Sequence, residues 1–212
     1  MGEPQTNLEK QHKPTFFQYL KDGVTVFRTD LKFRKFVYAQ WCGGAVLMAM
    51  PFYVVQADAN GINLKDVVLL LGAQTVGALV SNALWGWWGD HFGKASLLKG
   101  IALGRILPPA MIMILAFSNF VDADQMFYVF VGIFFVLGAL ANGLTIAVIG
   151  FLMEISPNNQ RPAYSGYFNA ITAPAFLLPL LAGIIASLFG LSVVFTISMF
   201  AAVLQSYFLL RK

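Results

Sequence analysis

After Phe36 the chain falls into long apolar runs separated by short polar or glycine-bearing steps. A helix of about 20 mostly apolar residues spans the hydrocarbon core of a bilayer. The runs therefore predict six spanning helices, over about Phe36–Gln56, Val67–Trp88, Ala95–Phe117, Met126–Glu154, Ala163–Phe189 and Ser192–Leu210. The steps between them carry chain breakers: Asn60-Gly61, Ser118-Asn119, Pro157-Asn158-Asn159 and Gly190. Ahead of the runs, residues 14–35 have a different rhythm. Phe17, Leu20, Val24, Phe27 and Leu31 recur at steps of three and four, with Lys21, Asp22, Arg28, Thr29 and Lys32 elsewhere on the wheel. That spacing predicts an amphipathic helix, lying on the membrane surface or packed on the ends of the bundle. Residues 1–13 are polar and read as a disordered tail. Three segments result: a tail over 1–13, an interfacial helix over 14–35 and an all-α, six-helix transmembrane domain over 36–210.

Composition removes the soluble alternative. Of 212 residues, 58% are hydrophobic and 11% charged, and the mean hydropathy is +0.70. A soluble domain of this size could not bury that much apolar surface, so the solvent is membrane lipid. The charges then set orientation. Lys10, Lys13, Lys21, Arg28, Lys32, Arg34 and Lys35 precede the first span, Lys94 and Lys99 follow the second, Arg161 follows the fourth, and Arg211 and Lys212 close the chain. With six spans all of these fall on one side, opposite Asp58, Asp66, Asp122 and Asp124, where Lys65 stands alone. The positive-inside rule predicts both termini in the cytoplasm of a multi-pass protein of the plasma or bacterial inner membrane. The polar opening lacks a signal-peptide pattern, so the first span is expected to direct insertion. One cysteine, Cys42, excludes an internal disulfide and reads as a small packing residue.

Little here suggests catalysis. His12 lies in the tail and His91 in a loop, so no metal set forms, and no nucleophile–base pair, paired acids or phosphate-binding loop appears. No cofactor, enzyme activity or nucleic-acid partner is expected. Polar residues inside the spans carry more information. Gln40 and Gln56 lie in the first, Gln74, Thr75, Ser81 and Asn82 in the second, Asn142 and Thr145 in the fourth, and Asn169 and Thr172 in the fifth. Such groups are costly against lipid unless paired. Asn142, among Gly138, Ala139 and Gly143, either bonds a solute or cross-links helices, and Gln40, Gln74 and Asn169 have the same two readings. The Gly77–Ser81 spacing reads as close helix packing. Arg105 is the only base deep in a span. A charge there costs about 2.5–3.5 kcal/mol on insertion scales, so it is expected to be functional, to snorkel, or to pair with Glu154. Glu154 itself ends the fourth span, seven residues before Arg161, and reads as a gate or loop partner. Pro108-Pro109, Pro174 and Pro179 predict disturbed helices, and Trp85, Trp87 and Trp88 read as interfacial anchors.

The step between the second and third spans is GWWGDHFGK, residues 86–94. Gly86, Asp90, Gly93 and Lys94 stand at the spacing of the loop signature of the major facilitator superfamily, roughly G-x-L-x-D-x-x-G-R/K-R/K, which this segment resembles. Trp88 takes the leucine position, Ala95 replaces the second base, and His91 stands where a base often does. The segment from Ile155 to Gly183 resembles the start of the eleventh helix in bacterial members, and the amphipathic segment resembles their cytoplasmic linker into the seventh. Over about residues 14–210 the chain is similar to the C-terminal half of a twelve-helix transporter. The resemblance implies alternating-access transport of a small-molecule substrate. It also implies a gating role for Asp90 against a helix N-terminus of the opposite half, and a solute cavity faced by the first, second, fourth and fifth spans, with the third and sixth behind. A second six-helix half is then required, either another copy of this chain or a separate protein. In a homodimer Asp90 would meet Pro162–Ala163 of the other copy. A non-transporting membrane subunit or a truncated remnant is the competing reading, and a membrane enzyme is a distant third.

Overall fold

The computed structural model describes residues 15–117 and 122–211; the tail expected over 1–13 lies outside them. Among the described residues all regular structure is helical, in ten α-helices and one 3-10 turn. Six stretches are long and apolar enough to cross a membrane: Leu31–Ala59, Lys65–His91, Lys94–Ala116, Gln125–Ile155, Arg161–Phe189 and Leu191–Leu210. Six passes return the two ends of this domain to one side.

The amphipathic segment forms α1 (Phe16–Thr29). It does not run on into the first span. Asp30 breaks the chain in an extended conformation, and its Oδ1 accepts bonds from the backbone N–H groups of Lys32 (2.9 Å) and Phe33 (3.0 Å). That caps the N-terminus of α2 (Leu31–Leu47). The first span thus begins five residues before Phe36, the point where the apolar run starts. Of the expected apolar stripe, Phe17 and Val24 on α1 and Leu31 at the start of α2 are exposed. The side turned to the bundle is built on Tyr19, Gly23 and Val26 together with Phe27, a member of the stripe that does pack inward. A Cβ on Gly23 would meet the Tyr167 ring at 2.8 Å, and the Tyr19 hydroxyl donates to the Ala163 carbonyl at 3.1 Å.

The odd-numbered spans are broken and the even-numbered ones continuous. The first consists of α2 and α3 (Phe52–Ala59), with a turn through Met48–Pro51. The second is α4 (Leu64–His91). The third divides into α5 (Lys94–Gly104) and α6 (Leu107–Phe117), and the fourth is α7 (Ala123–Ile155). The fifth comprises α8 (Arg161–Thr172), a 3-10 turn over Ala173–Leu177 and α9 (Leu178–Phe189); the sixth is α10 (Leu191–Leu210). The proline positions explain the breaks. Pro51 precedes α3, Pro108 and Pro109 lie in the first turn of α6, Pro174 is in the 3-10 turn, and Pro179 opens α9. Proline is tolerated only where the N–H has no helical acceptor to lose.

The principal packing pairs are α4 with α7, α2 with α10, and α5 with α7. The α4–α7 contact is backbone against backbone. A Cβ on Gly77 would collide with the Phe135 carbonyl, and one on Gly138 with the Gln74 carbonyl. Small residues at such crossings let helices approach without lipid-driven hydrophobic force. Two apolar clusters form the core. One gathers Met48, Tyr53, Ile112, Phe130, Phe134 and Phe195. The other, nearer the basic end, gathers Phe33, Phe36, Leu97, Ile101, Leu152 and Phe168. Between them lies a polar layer.

Candidate functional site

The loop after α4 is shaped by glycine at two places. Gly93 has φ +83° and ψ 157° and caps α5, a backbone region essentially closed to other residues. Gly93→Ala is expected to destabilise the folded chain by about 1–3 kcal/mol, read as a lower thermal midpoint in detergent. Gly86→Ala should not, because a Cβ there meets open space. An unchanged midpoint for Gly93→Ala would contradict this account of the turn. Gly89, between the motif positions, is the packed glycine. A Cβ on it would lie 2.9 Å from Lys94 Nζ, and one on Gly150 of α7 would lie 2.9 Å from Lys94 Cγ. The Lys94 stem therefore runs in a slot between two glycines, and its ammonium donates to Asp90 Oδ1 at 2.8 Å. Nothing in the signature spacing marks Gly150, which lies 56 positions from Lys94. Trp88, standing at the leucine position, packs its ring on Gly100 and donates to Ser96 Oγ at 3.2 Å. Trp85 donates to the Ala139 carbonyl at 2.8 Å, while Trp87 is 51% exposed. Only Trp87 is thus left to face outward; the other two tie helices together.

Asp90 itself is exposed, and its partner within the chain is Lys94 rather than a helix N-terminus. Glu154 and Arg161 are exposed as well, and among the described residues Lys94–Asp90 is the only ion pair. The start of α8 is occupied by α1 through the Tyr19–Ala163 bond, and Asp30 Oδ2 accepts from the Tyr164 hydroxyl at 3.2 Å. Asp30 thus caps one span and holds another. Its capping potential is visible in sequence, but its tie to Tyr164 is not.

The four polar candidates divide into two groups on the described helices. On α4 and α7, Asn142 Nδ2 donates to the Ala78 carbonyl at 3.2 Å and also to Asn82 Oδ1, with Gln74 one turn away on α4. This is a helix cross-link of the kind common in membranes. On α2 and α8, Gln40 is half-buried with no partner for its Nε2, and Asn169 is exposed. Thr75, Asn82 and Thr145 are exposed too. Ser81 is buried, as its spacing with Gly77 suggested.

The polar layer supplies the correction. Arg105 neither snorkels nor pairs with Glu154. It is 6% exposed, between the two apolar clusters. Its Nη1 donates to Gln205 Oε1 of α10 at 2.9 Å, and its Nη2 to the Gly43 carbonyl of α2 at 3.0 Å. Gln205 is fully buried and Gly43 makes room for the pair: a Cβ there would lie 2.8 Å from Gln205 Nε2. Close by, Ser198 donates to the Val46 carbonyl at 3.0 Å. These bonds fasten the sixth span to the first, and Arg105 joins the third to both. Nothing in the sequence joins Gln205 to a residue 100 positions away.

A family model described as Major Facilitator Superfamily matches residues 36–211. No curated protein and no solved structure matches the chain.

Proposed function

The chain belongs to the major facilitator superfamily, a family of membrane transporters, and from that premise we propose that it forms one half of an alternating-access carrier for a small solute, in the plasma or bacterial inner membrane. The observation that carries this is the exposed polar set on the second, fourth and fifth spans: Thr75, Asn82, Thr145 and Asn169. Thr75 and Thr145 turn their hydroxyls back to the Leu71 and Ala141 carbonyls, and Asn82 accepts from Asn142. The Asn82 and Asn169 amides nevertheless keep polar capacity for which lipid is a poor solvent. A second six-helix half facing them would enclose a polar pathway instead. The exposed apolar residues Phe17 and Val24 on α1 suit the lipid interface at the basic, cytoplasmic end.

Asp90 is expected to alternate between Lys94 in its own chain and a helix N-terminus of the facing half, where the free N–H groups favour a carboxylate. The test is uptake of radiolabelled amino acids, sugars and organic acids into proteoliposomes, alongside native mass of the purified chain. A two-copy or two-protein assembly with uptake is the expected result. Asp90→Asn should lower that uptake at least tenfold while leaving the assembly mass unchanged. A second reading has its own support, because the Asp90–Lys94 pair closes within one loop and is compatible with a static scaffold. Uptake unaffected by Asp90→Asn would remove the gating role, and a single-chain mass with no uptake would favour the scaffold.

A further inference from the structure

Arg105 brings a full charge into the middle of the bundle, and both of its acceptors are neutral. Gln205 and the Gly43 carbonyl aim the guanidinium without cancelling its charge. No described carboxylate pairs with it, since the acids of the spans stand at their ends and the one ion pair is Lys94–Asp90. An isolated charge in a low-dielectric interior is strongly unfavourable unless something of opposite sign reaches it.

A cavity of about 40 Å³ opens beside it. Its wall comes from the first, third and fourth spans, and Arg105 and Tyr53 supply its only polar side chains. The rest is apolar, including Met50, Leu140, Ala141 and Leu144. Ala141 is exposed and Met50 and Leu144 are partly so, which places the mouth between the first and fourth spans. That volume exceeds the roughly 10–15 Å³ that one water needs, so a small ion can enter it. One cation, one phenol and an apolar wall suit a single negative charge and offer nothing to a second.

We infer that this cavity binds a small monovalent anion, either a carboxylate group or a halide, against Arg105 with Tyr53 as a second donor. The anion supplies the charge that the protein's own acceptors lack. Its occupation does not depend on the transport reading; only the further step, that such an anion is part of the cargo, rests on it.

Binding is measured on the full chain in nanodiscs, by saturation-transfer NMR with sodium acetate and by chloride line broadening with sodium chloride. Acetate binding without chloride binding identifies a carboxylate site; chloride alone identifies a halide site; both identify a general anion site. Each supports the inference, and binding of neither overturns it. Arg105→Gln is expected to weaken the bound anion at least tenfold, and Tyr53→Phe more mildly. Ala141→Phe keeps Arg105 and its bonds while blocking the mouth, so it reports on the cavity even if Arg105→Gln fails to fold. Undiminished binding in Ala141→Phe would overturn the location. Anion binding without any solute uptake would leave the site standing and remove transport alone.

Discussion

Gly138→Ala is expected to destabilise the folded chain by about 1–3 kcal/mol, the usual range for overpacking a tight contact, and to lower its thermal midpoint in detergent. The new methyl would collide with the Gln74 carbonyl, which is backbone and has no rotamer to escape into. Gly77→Ala meets the Phe135 carbonyl in the same way. Two controls lie on the same helices. Gly132 of α7 and Gly72 of α4 have nothing within 4 Å of a Cβ. There alanine only relieves the helix of glycine's conformational freedom, a gain of roughly 0.5–1 kcal/mol. The pairs share residue type, helix and substitution, so intrinsic propensity cancels between them. If Gly138→Ala and Gly132→Ala shift the midpoint equally, the backbone contact between α4 and α7 is not what holds the second and fourth spans together.

An effect of similar size is expected at the polar layer. Gln205→Leu removes a bond to a charged group and should destabilise by about 1.5–3 kcal/mol, measured as the unfolding midpoint in mixed micelles. Arg105→Met should leave the Gln205 amide without its donor and also destabilise. The double variant, Arg105→Met with Gln205→Leu, should be more stable than the sum of the two single losses implies. A polar network replaced as a whole by apolar side chains is often neutral, whereas a network broken on one side is not. That difference is the coupling energy a double-mutant cycle isolates. Strict additivity would show that the 2.9 Å bond between α5 and α10 carries no stability of its own. Ser198→Ala is a milder comparison. Its hydroxyl bonds the Val46 carbonyl between the same two spans, the sixth and the first, and interhelical bonds of this neutral kind average about 0.6 kcal/mol.

The parts of the fold legible in sequence follow from local rules. Runs of apolar residues long enough to span a bilayer marked each span. Pro108-Pro109, Pro174 and Pro179 marked the breaks in the third and fifth, whereas the break at Met48–Pro51 in the first was not expected. The 3-10 turn over Ala173–Leu177 falls where Pro174 was expected to disturb a helix. The boundary between α1 and α2 was harder, because the residues after Asp30 continue the amphipathic rhythm of those before it. Only the capping bonds from Asp30 to Lys32 and Phe33 show that the chain turns there. The loop signature was legible as a spacing, with Gly93 at its strained turn. The slot that holds Lys94 was not, because its second wall is Gly150 of another span.

By itself the sequence determined the solvent, the number of spans, the side on which the basic residues gather and the family likeness of residues 86–94. Each of these is a property of a window of neighbouring residues, where hydropathy, period and spacing act directly. Tertiary structure decided the partners. Asn142 became a cross-link to Asn82, α1 turned Tyr19 and Gly23 inward in place of Phe17 and Val24, and Arg105 bonded Gly43 and Gln205, 62 and 100 positions away. A charge buried in a membrane bundle must take whatever acceptors the neighbouring helices present at its depth. Which helices those are depends on how small residues such as Gly43, Gly77 and Gly138 let the spans pack, and that is a property of pairs far apart in the chain.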